Sequence, residues 1–214
     1  MIGVLLLVLV LPAAALARSP KDPTLKPVAA DVALAKKLVV VKGDLAAGFV
    51  DKGIDTTAGA CAADVHTIVA TADVLGHTFD RNGGSDEVSS EVTFFQTVAG
   101  AKTAIAKSTT SAIGTCLKKA LTSALGSPSG LQVRATPLTL AVGRLVLRGW
   151  DIPFAYTKSG KKINGEIVGG FYRVGRVVAI LEISTLGGMT SAESEKISKN
   201  PTVRLLTLPA SVTG

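Results

Sequence analysis

KINGEIVGGFYRVGRVVAILEIS, residues Lys162 to Ser184, decides the fold of this chain. It reads as two strands turning at Val174-Gly175-Arg176. Ile163, Ile167 and Phe171 precede the turn; Val177, Val178, Ile180, Leu181 and Ile183 follow it. β-Branched and aromatic residues bracketed by glycines suit a half-buried hairpin. Working outward, RLVLRGWDIPFAYT (Arg144 to Thr157) alternates Leu145, Leu147, Gly149 and Asp151 with Val146, Arg148, Trp150 and Ile152. Pro153 predicts a bulge or an edge there. Thr157 to Lys161 is the hairpin turn that joins this strand to the next. Leu131 to Leu140 is a further strand, interrupted by Pro137 and so placed near an edge.

Upstream, Val88 to Phe95 alternates well enough to be a strand. Val88, Ser90, Val92 and Phe94 fall on one face, Ser89, Glu91 and Thr93 on the other. His77-Thr78-Phe79 reads as a brief edge strand, and Arg81 to Asp86 as a glycine-rich turn. Asp64 to Ala72 fits either a short helix or an extended segment. Asp31 is placed to cap a helix running to about Leu38. The longest helical stretch is Val98 to Leu125. Ile105, Ala112, Ile113, Cys116, Leu117, Ala120, Leu121 and Ala124 form its apolar stripe, with Lys107 and Lys118 opposite. Gly114 weakens its middle, and Gly126 to Gly130 stops it. Met189 to about Ser198 is a closing helix capped by Thr190 or Ser191. Asn200-Pro201 breaks it, leaving Val203 to Leu208 as a last short segment. This order predicts an α+β fold: an antiparallel sheet with a long helix packed on one face.

Met1 to Ala17 reads as a signal peptide, with an apolar run from Val4 to Leu11 and an Ala15-Leu16-Ala17 cleavage pattern. The run is short for a spanning helix, which needs roughly 20 residues, and an uncleaved anchor is the alternative. Residues 18–30 form a linker in which Pro20, Pro23 and Pro27 oppose helix and sheet ladder. Residues 31–214 form a single domain, extracellular or held in the cell envelope, with no further transmembrane stretch. The formal charge is +7, which favours an anionic cell-envelope polymer as partner; a mildly basic solvated surface is the plainer reading. One Trp and two Tyr, without a stacking motif, argue against nucleic acid.

An even cysteine count in an exported chain predicts a Cys61–Cys116 disulfide, with two free buried thiols as the alternative. Closing a loop of about 56 residues is worth about 4 kcal/mol in the chain-entropy model. His66 and His77 are isolated, so no metal site is expected. No nucleophile elbow, zinc-protease or phosphate-loop pattern occurs, and no cofactor is implied. Asp151 and Glu166 are the carboxylate pair that a glycoside hydrolase reading would use. Arg148, Trp150, Tyr156, Tyr172 and Arg173 are the candidate ligand-binding cluster, because rings and guanidinium groups on neighbouring strands suit a glycan or an anion. Core and edge packing is the competing account of the same residues.

Asp44-Leu45-Ala46-Ala47-Gly48-Phe49 is similar to the "DLPxGF/W" opening of many exported actinobacterial proteins, with Ala46 where proline is usual. Phe79 followed by Val88-Ser89-Ser90-Glu91-Val92 resembles their "F…VxSxV" strand. Phe95 to Ala101 resembles the helix start that follows, and Cys116 the cysteine ending that helix. Phe171 to Val178 is similar to their "vxvRxGxxva" hairpin. The resemblance implies a PsbP-like α+β sandwich, also found in extracellular sensor domains of some bacterial Ser/Thr kinases, and brings no catalytic residues. The expected function is an exported, non-enzymatic binding or accessory domain. A secreted hydrolase with a dispersed active site is the rival, and a subunit of an envelope complex with an exposed apolar patch is a third reading.

Overall fold

The computed structural model describes residues 21–55, 61–126, 128–187 and 189–213. The expected signal peptide and its cleavage pattern lie outside them. In order, the elements are β1 (Thr24–Leu25), α1 (Ala29–Leu38), a 3-10 turn (Lys42–Asp44), β2 (Val50–Asp51), β3 (Val69–Leu75), β4 (Phe79–Arg81) and β5 (Asp86–Phe95). They continue with α2 (Val98–Ser108), α3 (Ser111–Ala124), β6 (Gln132–Val133), β7 (Thr136–Val142), β8 (Leu145–Lys158), β9 (Lys161–Val174), β10 (Val177–Thr185), α4 (Ser191–Leu206) and α5 (Ala210–Thr213).

The fold is α+β. β9 and β10 form the expected hairpin, with Val174 paired to Val177 across Gly175-Arg176. Gly175 has φ 60°, and a Cβ there would run into the Thr213 backbone, so the turn requires glycine. The sheet runs β1-β3-β5-β10-β9-β8-β6. β4 lies beside β3 on the flank of β5, with β2 outside it, and β7 beside β6 on β8. The described pairings are antiparallel apart from β1 with β3, so the sheet is mixed.

Paired residues share a face, which sorts the core. α1 and α4 cover one face. Val92, Phe94, Val174, Val177 and Ala179 meet Ala35, Leu38 and Leu205, while Val88, Leu181 and Ile183 meet Ile197. α2 and α3 cover the opposite face: Phe95, Phe171, Val178 and Ile180 lie against Ala101, Ala104 and Ile105, and Trp150, Ile152, Phe154, Tyr156 and Ile167 against Leu121. Helices therefore cover both faces, with the expected 98–125 helical stretch on one of them.

Four expectations need correcting. The single helix from Val98 to Leu125 is two helices. Thr109 turns both its N–H and its hydroxyl onto the Ile105 carbonyl (3.0 and 2.9 Å), and Thr110 is extended, so α3 restarts in a new direction. The presumed linker contains β1. Thr24 N–H and Lys26 N–H, flanked but not replaced by prolines, donate to Ile68 and Ala70 carbonyls at 2.9 and 2.8 Å. Asp31 does not cap α1; it sits in the first turn, and Val28 precedes the helix. Finally, Pro201 does not break α4. Ile197, Pro201 and Leu205 form its buried stripe, and packing on the sheet carries the helix through the proline. At the start of α4 the Thr190 cap does form, reciprocated by Glu193.

The Cys61–Cys116 disulfide is present, with Cα atoms 5.7 Å apart, and ties α3 to the segment before β3. On the other face, arginines hold the helices. Arg176 donates to Asp31 through both terminal nitrogens (2.8 and 2.9 Å), to the Phe95 carbonyl (3.1 Å) and, through Nε, to the Val212 carbonyl (2.7 Å). Thr71 donates to the same Asp31 carboxylate. Arg204 grips Asp44 with two bonds of 2.8 Å. Arg81 bridges Asp86 and Glu193, and its guanidinium lies 4.8 Å over the Phe49 ring.

Two substitutions test this packing. Helix propensity alone would have Gly114→Ala stabilise α3 by about 1 kcal/mol. A Cβ at Gly114 would instead sit 2.5 Å from Trp150 Cη2 in the core, so we expect the opposite sign, a loss of about 1–3 kcal/mol read from urea unfolding midpoints. Arg176→Ala leaves Asp31 enclosed without its cation and should lower stability by about 3–5 kcal/mol in the same measurement.

Candidate functional site

The ligand-binding cluster expected from sequence does not assemble as one site. Trp150 and Tyr156 are buried in the core beneath α3, and Trp150 lies against the first turn of that helix at Gly114. Tyr172 points to the opposite face, where it packs among residues under α4; burial pushes its hydroxyl pKa up. Arg148 and Arg173 alone remain together. They lie on the α2/α3 face of β8 and β9, diagonal to each other, since Arg148 pairs with Phe171 and Arg173 with Val146. Arg148 is exposed and Arg173 partly so. Partial burial lowers the Arg173 pKa, and the neighbouring Arg148 charge lowers it further. Arg173 donates to the Gly175 carbonyl at 3.1 Å. Among the described residues no carboxylate forms an ion pair with either guanidinium.

A second polar group, not anticipated from sequence, lies on the same face toward the β2/β4 edge. β5 contributes Glu87, Ser89, Glu91 and Thr93; β10 contributes Glu182 and Ser184; β3 contributes Asp73 and β4 Asp80. The register places them together: Glu182 pairs with Ser89, Ser184 with Glu87, and Thr93 with Asp73. The polar stripe of β5 is therefore enclosed, with Glu91 only 1% exposed and Glu87 8%. Thr93 donates to Asp73 at 3.1 Å, and Glu91 Oε2 receives no hydrogen bond from a protein donor.

Burial, with the charges of Asp55 and Asp80, raises the Glu87 carboxyl to about 7. Burial and Glu87 raise Glu182 to about 8; it still meets solvent over part of its surface, but protein encloses most of it. Glu91 is pushed well up by burial and by Asp73, to which it is hydrogen-bonded. One sequence signal could have revealed this floor: Glu182 is a lone carboxyl inside the apolar strand Val177–Ile183.

Asp151 and Glu166 do come together, on neighbouring strands. Burial first, then Asp151, raises the Glu166 carboxyl, and the two are hydrogen-bonded. Direct contact is closer than the roughly 5–9.5 Å separation of glycosidase carboxyl pairs. His66 and His77 are exposed and pair with Asp64 and Asp51. Among the described residues no group of three or more potential ligands could hold a metal ion. At the β7 edge Leu140 and Val142 stand 50% and 61% exposed. No described helix is long and apolar enough to cross a membrane.

No protein-family model and no curated protein matches the chain. Among solved structures, the extracellular domain of PknH from Mycobacterium tuberculosis is similar at a TM-score of 0.51. It is 11% identical, over 86% of this chain and 99% of that one. That likeness is one of α+β fold alone, and it does not tie the fold to PsbP in particular.

The enclosed carboxyls set the stability profile. Glu87 and Glu182 are raised in the folded state, so folding takes up protons: their contribution is full below the ordinary value of 4.5 and is lost as pH climbs from there through 7 to 8. Arg81 holds Glu193 down to about 2, and the Arg176 hydrogen bonds hold Asp31 low; those contributions are lost as pH falls below about 4. Thermal unfolding should therefore peak near pH 4.5 and drop by several degrees toward pH 8. Glu182→Gln, neutral throughout, should flatten the alkaline side of that curve.

Proposed function

We propose that this chain is an exported, non-enzymatic binding or accessory domain that contacts anionic polymers of the cell envelope. The observation that carries this reading is the Arg148–Arg173 pair. Two guanidinium groups stand diagonally on neighbouring strands, Arg148 exposed and Arg173 partly so, with no ion-paired carboxylate among the described residues, although like charges repel. An anionic ligand relieves that repulsion and accepts hydrogen bonds from both. The +7 formal charge supports long-range attraction of such a polymer. Export is supported by the disulfide, which persists in oxidising compartments, and by the likeness to an extracellular domain.

Retention of the purified chain on an anionic glycan column, measured at low and high salt, tests this. We expect binding that weakens as ionic strength rises. An Arg148→Ala, Arg173→Ala double variant should bind at least fivefold more weakly with unchanged thermal unfolding. Retention that ignores both salt and the double variant would remove the proposal.

A further inference from the structure

We propose that the outer edge of β7 is a docking site for an extended acidic peptide, which adds as a further strand beside Thr136–Val142. This goes beyond the polymer-binding reading, because the group recognised is a peptide backbone; Arg148 is common to both.

β7 pairs with β8, and among the described residues no strand covers its other side. The register shows which of its backbone groups are open. Val142 and Leu145 close a two-residue loop, Gly143-Arg144, with Gly143 at φ 57°. Such a loop is closed by a hydrogen-bonded pair, and bonded and non-bonded pairs alternate from there. Val142, Leu140, Leu138 and Thr136 therefore bond to β8, while Ala141, Thr139 and Pro137 turn their backbone groups outward. Two bonds near the other end of β8 agree. The Pro153 carbonyl accepts from Arg134 N–H at 3.2 Å, and Thr157 N–H donates to the Ser129 carbonyl at 3.1 Å, so the odd-numbered residues of β8 face this side. Pro137 agrees as well, since it has no N–H to give to β8.

Open sheet edges are normally blunted by charge, by proline or by brevity. The outer strands β1, β2 and β6 span two residues each, whereas β7 runs for seven. No charged residue occurs from Ala135 to Gly143, and Thr139, Leu140, Ala141 and Val142 are all exposed. The amide and carbonyl groups of Thr139 and Ala141 are thus presented to solvent in the spacing that another extended backbone matches.

The two faces of this edge select the incoming chain. Thr139 pairs with Arg148, so a residue added opposite Thr139 shares the face of that guanidinium. Strands lie about 4.8 Å apart, which puts the added strand about 10 Å from β8. A glutamate there meets Arg148 over the short Thr139 side chain, in a charge-assisted hydrogen bond. On the opposite face Leu140 and Val142 are 50% and 61% exposed, and they receive apolar side chains from the alternate positions. The incoming strand therefore alternates acidic with apolar residues. A second copy of β7 meets the apolar half of that requirement alone: it carries no acid for Arg148, and it brings the same excess of positive charge. Charge complementarity favours a separate acidic segment.

Isothermal titration of the full disulfide-bonded chain with the peptide acetyl-Thr-Val-Glu-Val-Glu-Val-Thr-amide tests this. We expect saturable binding that weakens as salt rises. Amide exchange read by NMR should slow at Thr139 and Ala141 in the complex, while Leu138 and Leu140 are already protected in the free chain. Replacing both peptide glutamates by glutamine should weaken binding about tenfold. Ala141→Pro removes one outward N–H and leaves the bonds to β8, and it should weaken binding about tenfold. N-methylation of both glutamate nitrogens attacks the same contacts from the peptide side without altering the protein, and it should abolish binding. Absence of saturable binding would overturn the site, and affinity indifferent to N-methylation would overturn strand addition. A dimer seen in sedimentation equilibrium and lost in Ala141→Pro would give the edge to a second copy and overturn the acidic peptide as its occupant. Arg148 and Arg173 are untouched in Ala141→Pro, so its anionic-glycan retention should be unchanged, which separates failure here from failure of the polymer-binding role.

Discussion

The Arg176 guanidinium holds the two halves of this molecule in register. It sits at the β9–β10 turn and reaches α1 through Asp31, β5 through the Phe95 carbonyl and the chain end through the Val212 carbonyl. It also lies 5.3 Å from the centre of the Phe94 ring. One planar cation thus satisfies acceptors from segments that are far apart in sequence, in a geometry that lysine could not reproduce. With the turn anchored, β10 is fixed between β5 and β9, and the sheet has a defined centre. Arg204 on Asp44 and Arg81 on Asp86 and Glu193 repeat the device further along the same face.

The two faces of the sheet solve the problem of buried polarity differently. On the α1/α4 side Asp31, Asp44 and Asp86 each have an arginine, so burial and pairing offset each other. On the α2/α3 side burial, with neighbours of their own sign, raises the Glu87, Glu91 and Glu182 carboxyls. The first arrangement locks helices onto the sheet. The second makes the stability of the sheet depend on pH.

Sequence patterning was a good guide to the strands and a poor guide to the site. The Lys162–Ser184 hairpin, the β5 alternation and the Cys61–Cys116 pairing were all readable, because each depends on local periodicity or simple cysteine arithmetic. The asparagine-proline step in α4 and the proline-rich segment around β1 misled, because tertiary contacts overrode local propensity. Asp31 and Asp44 look like caps or turn residues locally, yet each is the partner of an arginine more than a hundred residues away. Trp150 and Tyr156 looked like recognition residues because they are rare and adjacent to arginines; α3 lies over them and makes them core.

The order of residues by itself determined an α+β chain with a disulfide, a hairpin at its centre and an excess of positive charge. Those properties follow from periodicity, composition and the number of cysteines, which act over a few residues or over none in particular. Only the tertiary structure decided that helices cover both faces, that Arg148 and Arg173 stay open while their aromatic neighbours do not, and that Glu87, Glu91 and Glu182 line one enclosed floor. Which polar face of a strand meets water depends on what later elements are laid upon it, and a two-residue alternation is the same in either case.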